Sequence, residues 1–417
     1  MIIKFKSFKK SIIKFLQYIS CICIFVGTDS MYIALQNGTK VYNISSLLLM
    51  LSLVLISLIS FPIKRKYLNK VTFISLLIVV FFSIYCFFSD FVTASILILI
   101  CEIICFLFYV VLYELNNDCM FELLDNYSNL MLFLGILTFF LWLFCSVLHV
   151  IPFNRTVISY WSGKANPKVV NSFYNIYFEP VDTNMFGIPR NSGLFTEAAL
   201  ASLSFGISLL NEVFINQKKN YFRIIAFIVI IFSTTSTAGI IIAILVILYL
   251  LFKSKFNILI LRIIKGLLFP LLIVVTFILI RSLFSFKIAT FSGGDRVTDY
   301  INGFSYFKKK FVIGYGYGNS GFMNSINSGY SNSITFLMLT GGLFFILPWI
   351  LLIVKSIYVS YVKKNVNIFL FALFIILIFT MIICADRPLM LYIFVCLLLS
   401  ENIKLEFPYR FFNYSRI

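Results

Sequence analysis

The chain has 417 residues, of which 61% are apolar and 12% charged, with 50 Phe. Soluble domains carry about 25% charged residues, so roughly half the polar material for a water-facing surface is present, and a soluble globular protein is excluded. A formal charge of +18 would point to nucleic acid in a soluble chain. In a multi-pass membrane protein, cations instead collect in short cytoplasmic loops, and no nucleic-acid partner is expected.

Each membrane helix takes about 20 apolar residues. Apolar windows bounded by charge fall at 11–27, 43–62, 71–88, 92–113, 130–150, 194–215, 222–236, 238–252, 263–280, 333–354, 366–384 and 388–403. These runs are continuous, unlike the alternating strands of a transmembrane barrel. The expected fold is therefore a single all-α polytopic unit over 1–417 with about twelve spans. The windows 222–236 and 238–252 meet at Thr234-Thr235-Ser236-Thr237-Ala238-Gly239, where hydroxyls and a glycine mark a break between two short helices.

Orientation follows from the Lys and Arg count. With the N-terminus inside, cytoplasmic segments hold 21 of the 34 and outer segments 12, of which all but Lys40 and Arg387 lie in the loops 151–191 and 281–332. Both termini are thus expected in the cytoplasm. The two long outer loops stand apart, since connections of that length are usually functional.

Nine cysteines, eight of them in apolar windows, read as buried small apolar groups rather than disulfides. With no CxxC pair and His149 the sole histidine, neither a metal nor any other cofactor is expected. The basic N-terminus precedes an apolar run without a small-residue cleavage site, so no cleavable signal is expected.

In chain order, the first residue of chemical interest is intramembrane Glu102, a carboxylate that needs a partner or a proton. It either carries a coupling proton or bonds a neighbouring helix. His149, at the outer end of its window, reads as an interfacial polar residue. Next comes Arg190-Asn191-Ser192-Gly193-Leu194-Phe195-Thr196-Glu197, leading into a span. Thr196 is expected to cap that helix and Glu197 to sit in its first turn, which leaves Arg190 beside outward helical N–H groups, an anion site. In the second loop, Ser292 and Asp295 resemble a capping box. Val297, Tyr300, Ile301, Phe304 and Phe307 have helical spacing, as in an amphipathic helix on the membrane surface with Arg296 and Asp299 on its polar face. Lys308, Lys309 and Lys310 follow, suited to lipid phosphates. The stretch Gly314-Tyr315-Gly316-Tyr317-Gly318 superficially resembles a potassium filter, but the preceding lysines would repel a cation. No Walker motif, acidic metal cluster or Ser/His/Asp set is visible.

Together these features resemble the O-antigen polymerase/ligase family. The resemblance rests on Arg190-x-x-Gly193-Leu194-Phe195-x-Glu197, the hydroxyl-rich break, Gly294-Asp295-Arg296, Gly314-x-Gly316 and Tyr330-Ser331-Asn332-Ser333 before Gly341-Gly342. It covers residues 130–355 by motif and the remainder by topology. It implies a glycosyltransferase C-type-like membrane fold in the bacterial cytoplasmic membrane. The implied substrate is an undecaprenyl-pyrophosphate-linked oligosaccharide, and a chain-length regulator and a flippase of the same pathway are the implied partners. One sugar hydroxyl would attack the anomeric carbon of the growing chain and expel undecaprenyl pyrophosphate. Arg190 and Arg296 would stabilise the leaving group without a metal. Glu197, Asp295 and Asp299 are the candidates for general base, with Glu197 and Asp299 the two selected. Asn332 and Tyr315 would contact substrate, and Tyr160, Tyr174 and Tyr177 would hold sugar rings.

Relatives acting as ligases tend to carry His-Asn where this chain has Ser331-Asn332, which favours a polymerase over a ligase. A lipid-linked oligosaccharide flippase is the transporter alternative, although it would need cations at span centres, where few occur.

Overall fold

The computed structural model describes residues 2–61, 65–89, 94–161, 167–179, 187–216, 219–253, 291–326, 331–363 and 366–400, with isolated positions between 274 and 282. The expected span 263–280 lies almost wholly outside the described residues, as does Tyr330. The helices in chain order are α1 (Ile2–Gly27), α2 (Met31–Ala34), α3 (Gly38–Ile59), α4 (Arg65–Phe88), α5 (Ala94–Tyr109), α6 (Glu122–Leu141), α7 (Ala198–Leu210), α8 (Tyr221–Ser233), α9 (Thr237–Lys253), α10 (Phe291–Lys309), α11 (Ser320–Ile326), α12 (Ser333–Lys363), α13 (Val366–Met381) and α14 (Pro388–Leu398). Three of them run on into a π-helical turn, at Val110–Glu114, Trp142–Val147 and Asn211–Ile215. Among the described residues seven helices are long and apolar enough to cross a membrane, and α8, α9, α13 and α14 are shorter apolar helices. The chain is a helical, multi-pass membrane protein.

At the centre of the bundle, α7 is almost entirely buried. Its Ala201, Ser202, Ser204, Gly206 and Ser208 are small, so neighbouring backbones approach closely, the usual way helices pack where lipid removes the hydrophobic drive. Ser202 Oγ donates to Ser236 Oγ at 3.0 Å, and a Cβ on Gly239 would stand 2.6 Å from that of Ser202. The hydroxyl-rich break forms as expected: α8 ends at Ser233, α9 starts at Thr237, and Thr235 turns the chain with φ 47°.

Both long loops carry structure of their own. The first holds an antiparallel sheet of β1 (Arg155–Ser159), β2 (Lys168–Phe173) and β3 (Tyr177–Glu179), in the order β1-β2-β3. The sheet docks on the connection between α1 and α3 through Tyr160 N–H to Ala34 O (2.7 Å) and Tyr32 OH to Asn175 O (2.8 Å). That end of the bundle is called the sheet end below. The second loop holds α10 and α11.

Within α12 the helix is broken at Gly342 (φ 59°, ψ −148°). The glycine-rich stretch after α10 fills this break. Tyr315 N–H donates to Leu339 O (2.7 Å) and Gly316 N–H to Thr340 O (3.2 Å), while Leu343 N–H and Phe344 N–H donate to Phe311 O (2.8 Å) and Val312 O (3.1 Å). The fit needs glycine, since a Cβ on Gly314 would stand 2.5 Å from Leu339 O and one on Gly342 2.7 Å from Gly314 N. Irregular backbone at membrane depth survives only where protein covers it, and here the loop supplies the bonds the helix lacks. The Gly314-x-Gly316 pattern therefore closes a helix break.

Candidate functional site

The sheet end is built by the segments that leave α1, enter α7, follow α10 and enter α12 and α14. Asp29, with φ 56°, follows α1. Its carbonyl accepts Thr196 N–H (3.1 Å) and Thr196 Oγ1–H (3.2 Å), and Met31 N–H donates to Leu194 O (2.7 Å). Thr196 is thus spent on holding Asp29 and does not cap α7; the extended N-cap residue is Glu197 itself. The Glu197 side chain makes no capping bond but accepts from Trp161 Nε1–H at 2.8 Å, which ties the sheet to α7.

At the other side of the site, Arg387 is the N-cap residue of α14, with Pro388 fixing the first turn. Arg387 Nε lies 2.7 Å from Asp29 Oδ2 and 3.9 Å from Asp386 Oδ1. The Arg387–Asp29 contact is thus a close, buried ion pair. Asp386 Oδ2 accepts Tyr317 OH at 3.0 Å. Two carboxylates share one guanidinium, and Asp29 is only 1% exposed. Burial pushes the Asp29 carboxyl up to about 6 against the pull of Arg387, and the charges of Asp386 and Glu197 raise it further.

The residues expected from the sequence fall into three places. Glu197, Asn332 and Tyr315 border this cluster. Asn332 is buried, and its Oδ1 accepts Thr335 N–H at 3.0 Å, which caps α12, while its Nδ2 has no partner among the described residues. The adjoining Ser333 Oγ accepts from Cys384 N–H (2.8 Å) and Ala385 N–H (3.2 Å), fixing the segment that carries Asp386. Tyr315 lies two residues before Tyr317 but is stacked on Phe322 at 3.9 Å, with its hydroxyl on Tyr306 O. It is a packed ring rather than an open platform. Tyr177 is likewise fully buried with its hydroxyl on Ser146 Oγ (2.9 Å), whereas Tyr174 is exposed.

Arg190 stands elsewhere. It is half-buried and lies well before α7, so it does not sit at that helix's start. Its neighbour Asn191 is bonded to Ser233 through N–H to O (3.3 Å) and Nδ2 to Oγ (2.9 Å), next to the break between α8 and α9. Arg190 Nε is buried and has no hydrogen-bond partner among the described residues.

Asp299 is the third place, and its position reverses the expectation. It is buried, whereas Val297, Ile301 and Phe304 are exposed. Val297, Ile301 and Phe304 of the expected stripe therefore face outward, while Asp299, Gly303 and Phe307 are buried on the side that meets the protein, where Tyr300 OH donates to Thr380 O at 2.6 Å. Because α10 begins at Phe291, Ser292 and Asp295 lie inside the helix rather than capping it. The side chains of 291–296, Arg296 among them, lie outside the described residues.

Glu102 finds its partner on a neighbouring helix: Ser46 Oγ–H donates to Glu102 Oε1 at 2.5 Å. His149 is exposed with φ 52° at the end of a π turn. All nine cysteines are free thiols.

The cluster of Asp29, Asp386, Arg387 and Tyr317 escaped the sequence reading. Its signal was present: in a chain with few charges, Asp29 and the Asp386-Arg387 pair occupy short connections that need none. No protein-family model and no curated protein matches the chain.

Proposed function

We propose that this protein joins lipid-linked oligosaccharide repeat units into polysaccharide at the outer face of the bacterial cytoplasmic membrane. In this reading about twelve spans with a glycosyltransferase C-type-like arrangement place the sheet end outside and both termini inside, as the charge count favours. The observation that carries the proposal is the convergence at the sheet end of a buried carboxylate–arginine cluster with both long loops, in a helical membrane protein. Acid–base groups held where an apolar bundle meets folded loops are suited to a substrate with a lipid tail and a sugar head.

The acceptor hydroxyl oxygen forms a bond to the donor's anomeric carbon, the bond from that carbon to the pyrophosphate oxygen breaks, and the hydroxyl proton passes to a carboxylate. Glu197, exposed and oriented by Trp161, and Asp386, bonded to Tyr317, are the carboxylates nearest the surface of the cluster. Asp299, inside the α10 interface, remains a candidate only through movement of that helix. Arg190, whose Nε has no hydrogen-bond partner among the described residues, and Arg296 are the proposed pyrophosphate ligands. A chain-length regulator and a flippase are the proposed pathway partners.

Deletion of the gene tests the proposal. A polymerase null leaves surface lipid bearing a single repeat unit, because ligation continues. If polymer instead accumulates on the lipid carrier and none reaches the surface lipid, the protein is a ligase. If neither species changes, glycan assembly is not its task.

A further inference from the structure

A second feature, independent of the sheet-end chemistry, runs along the bundle. A cavity of about 520 Å³ lies between α4, α5, α12 and α14. At the sheet end Tyr317 and Asp386 reach it, and at the opposite end Lys70 and Lys355 do; the side chains between are apolar, including Phe81, Leu352 and Phe394. From Leu337 to Lys355 the lining of α12 spans 18 residue steps, about 27 Å at the helical rise and close to the roughly 30 Å of a bilayer's hydrocarbon. Its wall residues Leu77, Leu347 and Leu351 are also exposed, so the cavity opens sideways to lipid.

We infer that this cavity binds an anionic phospholipid, with its phosphate at Lys70 and Lys355 and an acyl chain along the apolar wall. The charge order decides the occupant. One end carries two cations and the other a carboxylate, so an anionic head is favoured at the lysine end and disfavoured beside Asp386. Lys355 is positioned there by a bond from Nζ to Leu398 O on α14. In the charge-based orientation the lysine end is cytoplasmic, where anionic lipids act on basic residues. The inference does not rest on glycosyl transfer, and binding at the lysines stands in either orientation.

The test uses the purified full chain in detergent micelles, titrated with phosphatidylglycerol, phosphatidylcholine of the same chains, or polyprenyl phosphate, and read by native mass spectrometry. Phosphatidylglycerol should be retained in preference to phosphatidylcholine. Lys70→Gln with Lys355→Gln should weaken that retention about thirtyfold, at the usual worth of a lysine near an anionic surface. Lys363→Gln, on the same helix but outside the cavity lining, should leave it unchanged. Leu352→Trp, which fills the apolar wall without touching charge, should abolish retention while size-exclusion profiles confirm an intact fold. Equal binding of both phospholipids, or full retention by the double variant, overturns the inference. So does polyprenyl phosphate that displaces phosphatidylglycerol and depends on Asp386 rather than on the lysines; that outcome would make the cavity the carrier-lipid site.

Discussion

Asp29 and Arg387 form a buried ion pair, 2.7 Å apart across a sequence separation that spans nearly the whole chain. Removing one member of a buried ion pair leaves the other charge uncompensated, at a cost of about 3 kcal/mol or more. Arg387→Gln should therefore lower the unfolding temperature of the detergent-solubilised protein, and Asp29→Asn combined with it should recover part of the loss. The acid also has a pH signature. Its carboxyl sits near 6 against an ordinary 3.8, so the folded state binds this proton more tightly than the unfolded chain. The stability it contributes is present below about pH 4 and lost as pH rises through about 6. Infrared difference spectra should show an Asp29 carboxylic C=O band appearing below pH 6, absent in Asp29→Asn. In Arg387→Gln the midpoint should move to higher pH, because the guanidinium is what opposes protonation. A midpoint near the ordinary value in the native protein would remove the burial that the cluster requires.

At the scale of elements, the telling junction is the break in α12 and the loop that fills it. Gly314→Ala and Gly342→Ala each place a Cβ within 3 Å of backbone at a positive φ, so each should cost at least about 2 kcal/mol in thermal unfolding. Gly206→Ala is the control: its nearest neighbour is 3.6 Å away on ordinary helical backbone, and alanine should be neutral or stabilising by up to about 1 kcal/mol. Elements of this kind show where the sequence was readable. Apolar windows located α1, α3–α9 and α12–α14 because each is a long run with charged ends, and the hydroxyl cluster at 234–237 marked a true break. The same reasoning misplaced Asp299 on α10, because helical spacing identifies faces but not which one meets protein. Asp299 lies inward with Phe307, while Val297, Ile301 and Phe304 take the outer side. Thr196 and Glu197 were placed within one residue of the helix start, yet their roles changed, since Asp29 O, contributed from far along the chain, takes the Thr196 hydroxyl. Long-range pairings such as Asp29 with Arg387 leave no periodicity behind, and so the centre of the candidate site was the least legible part.

For the whole molecule, orientation and chemistry are joined: glycosyl transfer on the outer face requires the sheet end outside. Reporter fusions after Lys168 and Asn319 should read external, and one after Lys363 cytoplasmic; a cytoplasmic signal from either of the first two would reverse the bundle. The most direct test of transfer is reconstitution of the purified protein in vesicles with isolated lipid-linked repeat units as sole glycan substrate, with product length followed by electrophoresis. The native protein should build a ladder of lengthening chains and release undecaprenyl pyrophosphate. Arg190→Ala should slow it about a hundredfold or more, as loss of a charge-stabilising donor does, and Arg190→Lys should restore part of the rate. Repeat units that stay unjoined with the native protein, or a ladder from Arg190→Ala as long as the native one, would contradict the proposed polymerase and its assigned pyrophosphate ligand respectively.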